Sequence, residues 1–457
     1  MSPERPLRVA VVGSGPAGFY AADALLEAGA GVDLLERLPT PWGLVRLGVA
    51  PDHPELKTAS RVFEKTAAKA GFRFFGNVDV GRDVTHDELV RLFDAVVYTV
   101  GAQTDRRLGI PGEDLAGSWA ATEFVAWYNG HPDFQELEFD LSSERAVVIG
   151  NGNVAIDVAR MLARTREELA PTDVTDRSAA AIVASGIREI VMLGRRGPAQ
   201  AAFTPPELKE LGELGGADVA VDPAELELDA ASAAALEADR ARARRNVDIL
   251  REFAARAPAG KPKRLELRFR VSPVQILGEG RVEAIEVVRN ELVAGEGGAI
   301  RAVPTGELEV VPCGLVLRSV GYRGVALPGV PFHEERGVIP NERGRVLGPG
   351  GAPLPGVYCA GWIKRGPSGV IGTNKKDAAE TVASLLEDAA AGRLPRGGEG
   401  ELEELLRSRG VRFVEYAGWQ AIDRHERGLG EPLGRPRVKL ASWDELLETA
   451  RALDSAA

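Results

Sequence analysis

Residues 7–38 read LRVAVVGSGPAGFYAADALLEAGAGVDLLERL. A short apolar run, a glycine-rich turn, an amphipathic stretch and a second apolar run follow one another, which is the order of a βαβ unit. The turn, Gly13-Ser14-Gly15-Pro16-Ala17-Gly18, fits GxGxxG, with a strand before it and a helix after it. In that setting the first glycine permits the tight turn, the second lets a pyrophosphate approach the main chain, and the third lets the helix pack close to the strand. The helix N-terminus adds unpaired N–H groups and a dipole that favours phosphate. Glu36 closes the second strand, where a carboxylate accepts hydrogen bonds from an adenosine ribose. Asp33 is close by, but alternation along the strand makes it the poorer candidate. The stretch predicts a dinucleotide site and, with it, an α/β fold.

The pattern returns once. Residues 145–164, RAVVIGNGNVAIDVARMLAR, give strand, turn and helix around Gly150, Asn151, Gly152, Asn153, Val154 and Ala155, a GxGxxA fingerprint. The next strand, REIVMLG at 188–194, arrives late, after a Thr-, Asp-, Ser- and Ala-rich stretch that predicts an extra helical excursion. Where the first unit ends in an acid, this one ends in Arg195 and Arg196. A carboxylate there would repel a 2′-phosphate, whereas planar guanidinium groups bind it through charge-assisted hydrogen bonds. The pair predicts NADP(H) rather than NAD(H). Two dinucleotide sites in one chain suggest a flavoprotein, FAD in the first and NADPH in the second, because a flavin joins a two-electron donor to a one-electron acceptor. No protein acid or base is obligatory for that transfer, so no catalytic triad is required.

The chain has 457 residues, too many for one ordinary core, and two or three domains are expected. A content of 44% hydrophobic and 27% charged residues fits a water-soluble globular protein. A net charge of −11 argues against nucleic acid or an anionic membrane as the main partner, since both reward a positive surface. No apolar run is long enough to span a bilayer, and the first strand begins too early for a signal peptide, so cytoplasm is the expected location. The two cysteines, Cys313 and Cys359, match neither a metal site nor a redox dithiol, and no metal is expected. Two thiols cannot hold a conventional four-cysteine iron–sulfur cluster, so such a centre would arrive on another protein.

Elsewhere, DAVVYTV at 94–100 reads as a short strand, and 229–256, rich in Ala, Glu and Arg, as helix. LELRFR, AIEVVR, LEVVP and LVLRSVG read as strands completing a sheet after that helical insertion. GVYCAGWIKRGPSGVIGTNKKDAAETVASLLEDA, from 356, gives strand, glycine-rich loop and helix. A connector around RLPRGGEGE leads to a polar tail with two expected helices.

LLERLPTPWGLVRLGVAPDHP, VGAQTDRRLGIPGED, VVIGNGNVAIDVAR, GRRGPAQAAFTPPELKEL, SVGYRG and GWIKRGPSGVIGTNKKDA, together with the first fingerprint, resemble the adrenodoxin-reductase-like ferredoxin–NADP reductases. The resemblance covers essentially the whole chain, and the tail segment YAGWQAIDRHERGLGEPLGRPRVKLAS matches the bacterial members with an extended ending. It implies two Rossmann-like domains of the glutathione-reductase-type two-domain flavoprotein: an FAD domain from 1–103 and 325–457, including the tail from about 394, with an NADP domain at 104–324 inserted between. FAD would be held by Gly13 to Gly18, Glu36, Leu44, Leu47 and Val84, with Trp362, Gly369, Val370 and Ile371 from the far end of the chain. NADP would be held by Arg106, Asn151, Gly152, Asn153, Val154, Arg195, Arg196 and Glu207, with Gly369 near the nicotinamide. His53 and Glu210 would approach the flavin, to move protons or tune its potential. Plainer roles compete with some of these. Thr204 to Glu207 also spells a capping box, Trp362 could be core, and Arg106 could be ordinary surface.

The implied activity carries electrons from NADPH through FAD to a small acidic iron–sulfur protein. An NADPH diaphorase or quinone reductase would use the same two sites, and a redox-sensing protein could bind both coenzymes without turnover. An acidic partner needs a basic face: Arg242, Arg244 and Arg245, followed by Arg251, Lys261, Lys263 and Arg264, are the candidates, although such a run is also a common solvated helix face.

Overall fold

The computed structural model describes residues 5–237, 241–295 and 300–451. The chain divides into two compact units. One comprises the chain up to Thr104, Asn129–Asp133, and everything from Gly321 on; the other comprises Asp105–Tyr128 and Phe134–Val320.

The first unit is built on a seven-stranded sheet in the order Asn341–Glu342, Arg345–Leu347, Pro353–Cys359, Ala95–Tyr98, Arg8–Val12, Gly31–Leu35, Phe72–Phe75. The last five strands run parallel, and the first two add an antiparallel edge. Arg8–Val12 sits inside the sheet, and its last four residues are buried. That burial explains its continuous apolar run, since a parallel strand covered on both faces has no wet side for polar residues. The helix Pro16–Glu27 buries Phe19, Ala22 and Leu25 with Ala378, Val382 and Leu385 of the helix Thr373–Ala390. The same core takes in Trp419, Ile422, Leu446 and Leu447 of the tail, while Leu402 and Leu406 join the core on the opposite face. Fully burying a side chain of this size contributes roughly 1.5–3 kcal/mol, so these tail residues form part of the core of the unit.

The second unit holds a six-stranded, wholly parallel sheet in the order Ser118–Ala120, Leu315–Arg318, Arg145–Ile149, Glu189–Gly194, Lys263–Phe269, Ala217–Val221. Beside it stands a separate antiparallel sheet of Val271–Leu277, Ala284–Ala294 and Ile300–Pro312.

Two expectations need correction, and one strand was missed. Of the four strands read as completing one sheet, Lys263–Phe269 and Leu315–Arg318 do so, whereas Ala284–Ala294 and Ile300–Pro312 pair in the antiparallel sheet. The third strand of that sheet, Val271–Leu277, escaped notice because Pro273 interrupts its apolar pattern, and the ladder shifts register between Pro273 and Gln275. Among the described residues the tail carries three α-helices rather than two, Leu402–Ser408, Tyr416–Gly430 and Trp443–Arg451.

Candidate functional site

In the first unit the strand Arg8–Val12 ends in a turn that only glycine can make. Gly13 has φ +102°, and a Cβ there would lie 2.8 Å from the Thr99 carbonyl. A Cβ on Gly18 would fall 2.0 Å from the Gly13 oxygen, which is why the helix can approach the turn so closely. Gly15, the N-cap of Pro16–Glu27, has open space where a side chain would be, and no side chain caps it. The helix start is thus a cradle for an anionic group: an approach free of side chains and a helix terminus whose partial positive charge is unopposed.

Glu36 stands over this turn. Its carboxylate accepts from the Ser14 N–H (3.0 Å), the Ser14 hydroxyl (2.7 Å) and the Leu38 N–H (3.1 Å). The two Ser14 donors fill one carboxylate oxygen, and the other, which accepts only from Leu38, retains a lone pair for a ribose hydroxyl. Asp33 is instead buried and engaged by Arg73, at 2.7 Å from both Nε and Nη2, in agreement with the alternation argument.

The segment after Glu36 returns to the turn. The Trp42 N–H donates to the Ser14 carbonyl at 3.0 Å, and the helical turn Leu44–Leu47 follows, with Leu44 39% exposed and Leu47 buried. Val84 is fully buried, main chain and side chain alike, in the core. From the other end of the chain, Pro353–Cys359 pairs with Ala95–Tyr98 and brings Gly361 against the same helix; a Cβ on Gly361 would sit 2.6 Å from that of Ala17. Trp362 is half-buried, its indole N–H donates to the Ser368 carbonyl at 3.2 Å, and its ring lies 5.2 Å from that of Tyr322. Gly369 and Val370 are exposed just before the helix Thr373–Ala390, and Ile371 packs partly into the core. His53 is buried, with its N–H on the Ala50 carbonyl.

The second unit repeats the cradle. Gly150 has φ +138°, and a Cβ there would meet the Ser319 carbonyl oxygen at 2.2 Å. Gly152, N-cap of the helix Asn153–Ala163, has open space and no side-chain cap. Arg195 is exposed and Arg196 half-buried at the end of Glu189–Gly194. Among the described residues no carboxylate pairs with either guanidinium. Burial, then the neighbouring Arg195 charge, lowers the pKa of Arg196 from its ordinary value. Two unneutralised cations side by side are a donor set suited to a phosphate dianion.

Some of the anchoring was not visible in the sequence. Asn290, buried in the antiparallel sheet, donates to the Arg195 carbonyl at 2.9 Å, and the Arg270 N–H reaches the Arg196 carbonyl at 3.0 Å. Gly194 is glycine because the Asn151 amide lies 2.8 Å from where a Cβ would be. Arg106 is exposed and pairs with no carboxylate among the described residues, whereas Arg107 pairs with Asp114 at 2.6 Å.

The capping box at Thr204 to Glu207 does not form. Thr204 is the N-cap of Pro205–Leu211, but its N–H, which Glu207 would have to cap, donates to the Asn153 side chain at 2.8 Å. Glu207 turns to the fully buried Arg160 (3.3 Å), as does Glu210 (3.2 Å), and Asp157 completes the group (2.8 Å). Of the basic candidates, Arg242 donates to the carbonyls of Ala202 and Phe203, Arg244 to Leu236, Lys261 to Leu214 and Lys263 to Leu162. Arg245 is exposed, Arg251 is 3.9 Å from Asp248, and Arg264 is 3.4 Å from Glu266. Both cysteines are buried and unpaired by any disulfide, and burial raises the pKa of Cys313 to about 12. No helix among the described residues is long and apolar enough to cross a membrane.

Residues 7–192 match the family described as pyridine nucleotide-disulphide oxidoreductase. The NADPH-ferredoxin reductase FprA of Mycobacterium tuberculosis is 51% identical over 97% of this chain and 99% of its own. The human mitochondrial NADPH:adrenodoxin oxidoreductase is 44% identical over 97% and 92%. The solved structure of Mycobacterium tuberculosis FprA in complex with NADPH superposes with a TM-score of 0.92 at 50% identity, covering 98% of this chain and all of that one.

Proposed function

The chain belongs to the adrenodoxin-reductase-like ferredoxin–NADP reductases, and on that premise we propose that it passes electrons from NADPH, by way of FAD, to an iron–sulfur protein of the ferredoxin type. The observation that carries this reading is the contrast between the two glycine cradles, one overlooked by Glu36 and the other followed, at the end of the next strand, by Arg195 and Arg196, which no carboxylate pairs among the described residues. Bound FAD supplies the conversion of a two-electron input into single-electron output.

The protein's own part is to bind, orient and exclude water. Gly13 to Gly18 give the FAD pyrophosphate a bare helix start, and Glu36 takes the adenosine ribose. Leu44, Leu47, Val84, Trp362 and Gly369 to Ile371 supply the apolar wall and main-chain contacts for the rest of the flavin. Asn151 to Val154 hold the NADP pyrophosphate, Arg195 and Arg196 its 2′-phosphate, and Arg106 a further phosphate oxygen. Arg160 fixes Glu207 and Glu210 by charge, which suits Glu207 to orient the nicotinamide end. His53 and Glu210 are the candidate proton-handling groups. The partner is small and acidic and docks by way of Arg242, Arg244 and Arg245; Arg245 is the freest of these, since Arg242 and Arg244 also hold main-chain carbonyls.

The direct test is to purify the protein, record its visible spectrum and titrate it anaerobically with NADPH, then compare steady-state reduction of a ferredoxin with that of a neutral quinone. A yellow protein bleached by NADPH that reduces ferredoxin with the higher kcat/KM is expected. Efficient quinone reduction with no ferredoxin turnover would make it a diaphorase, and flavin binding without turnover a sensor.

A further inference from the structure

The sequence gives no role to the tail beyond Arg393, yet the structure joins one tail helix to the FAD-side turn. Arg46, in the Leu44–Leu47 turn, is buried, and so is Glu426 of Tyr416–Gly430. The Arg46 guanidinium makes a bidentate pair with the Glu426 carboxylate, one arm at 2.8 Å, and lies over the Trp419 ring at 5.2 Å. Trp419 in turn meets Trp42 edge-on, with ring centroids 4.8 Å apart.

Trp42 has φ +83°, a conformation that costs a non-glycine residue on the order of 1–2 kcal/mol and persists only where its surroundings impose it. The packed Trp419 ring is that imposition. Gly43 continues the turn at φ +48°, so close to the glycine cradle that a Cβ would lie 3.1 Å from the Gly15 Cα. A shift in residues 42–47 is therefore felt at Ser14 and Gly15. A buried ion pair is also a poor choice if the tail only needed adhesion, because apolar residues of similar size hold at least as well without the desolvation cost. What the bidentate fork adds is a fixed orientation.

We infer that Glu426 acts through Arg46, and Trp419 through Trp42, as positioning residues that clamp the 42–47 turn against the FAD cradle, so that the tail sets flavin affinity from outside the site. The inference rests on the FAD reading of the first cradle.

Arg437 provides the control. It pairs with the same Glu426 carboxylate at 3.0 Å and with Asp423 at 2.7 Å, both on the tail itself. Apo-protein is prepared for wild type, Glu426→Gln, Arg46→Lys and Arg437→Met, and three quantities are measured on each: the FAD dissociation constant, the melting temperature and affinity for 2′,5′-ADP. Arg46→Lys keeps a cation beside Glu426 and covers the case in which Glu426→Gln does not fold. The expected result is FAD binding weakened about tenfold or more in Glu426→Gln and Arg46→Lys, but less than about threefold in Arg437→Met, with 2′,5′-ADP affinity constant throughout. The clamp is refuted if FAD affinity is unchanged in the first two, or if all three variants weaken it in step with melting temperature. Wild type that takes up no FAD would overturn the parent reading instead, and the clamp with it.

Discussion

The proposal that coenzyme choice turns on Arg195 and Arg196 rests on guanidinium groups with no carboxylate beside them among the described residues and on a main chain tied down by Asn290 and Arg270. A phosphate dianion meeting them gains charge-assisted hydrogen bonds, which contribute about 1.5–3 kcal/mol each when sheltered and less at an exposed side chain such as Arg195. Replacing both with alanine should lower the NADPH-over-NADH ratio of kcat/KM by about 30-fold, or roughly 2 kcal/mol, chiefly through the KM for NADPH. Steady-state kinetics with each coenzyme measure this directly, and a ratio within about threefold of wild type would remove the arginines from the 2′-phosphate site. The place of the arginines, and of Glu36, directly after a strand was legible because the strand and glycine-turn pattern fixes where those strands end. The surroundings of Glu207 were not, because the sequence offered a capping box beside the NADP contact that the resemblance implies; the cap is ruled out by Asn153 claiming the Thr204 N–H, a contact between residues far apart in sequence, and the pair with Arg160 went unseen.

At the scale of elements, the strand Lys263–Phe269 does something for the helix Asn153–Ala163 that neither pattern announces. The Lys263 ammonium donates to the Leu162 carbonyl at 2.6 Å, in the last turn of that helix. Burial, followed by repulsion from Arg188, pushes the Lys263 pKa down from 10.5 to about 8. Between those values the folded protein releases a proton that the unfolded chain keeps. The unfolded state therefore binds more protons in that window, and stability rises with pH across it. Lys263→Met lacks this gain, so wild type should gain on the variant by up to roughly 2 kcal/mol between pH ~7.5 and ~10.5, allowing for screening at a partly exposed group. Urea unfolding of both proteins across this pH range provides the check, and a constant difference would show that the lysine keeps its ordinary pKa. A lysine placed in this way is also a weak docking charge. The elements that could be read in advance were those with an unbroken period, such as Arg8–Val12 and Thr373–Ala390. Those that could not were Val271–Leu277, broken by Pro273, and the two-turn helix Leu402–Ser408, whose only fully buried residues are Leu402 and Leu406.

For the whole molecule, the βαβ order gave the class of fold, but the place of Pro353–Cys359 beside Ala95–Tyr98 has no local signal, and the family resemblance implied only that both ends of the chain share one domain. Loop closure over such a separation is decided by what the strand buries, and Val357 and Cys359 are as apolar as any other core pair. The same limit applies to docking, which depends on which charges remain outward once the chain has folded. If the partner is acidic, as proposed, a protein of net charge −11 would repel it at long range, and encounter would rely on a local patch acting within about one Debye length, ~10 Å at 0.1 M salt. Arg242, Arg244, Lys261 and Lys263 are already hydrogen-bonded to main-chain carbonyls, which leaves Arg245 and Arg251 as the cations on helix Ala241–Ala254 whose reversal disturbs the fold least. Arg245→Glu combined with Arg251→Glu should raise the KM for ferredoxin about tenfold at low ionic strength and leave kcat nearly unchanged, because complementary charge governs encounter and orientation more than the later electron transfer. The effect should shrink at ~0.5 M salt, where the Debye length falls to about half. A neutral quinone is the proper comparison, since ferricyanide is itself an anion and would respond to the reversed charges. If the quinone and ferredoxin KM values rise together, the substitutions have disturbed the enzyme rather than its docking face; if neither moves, the partner approaches elsewhere.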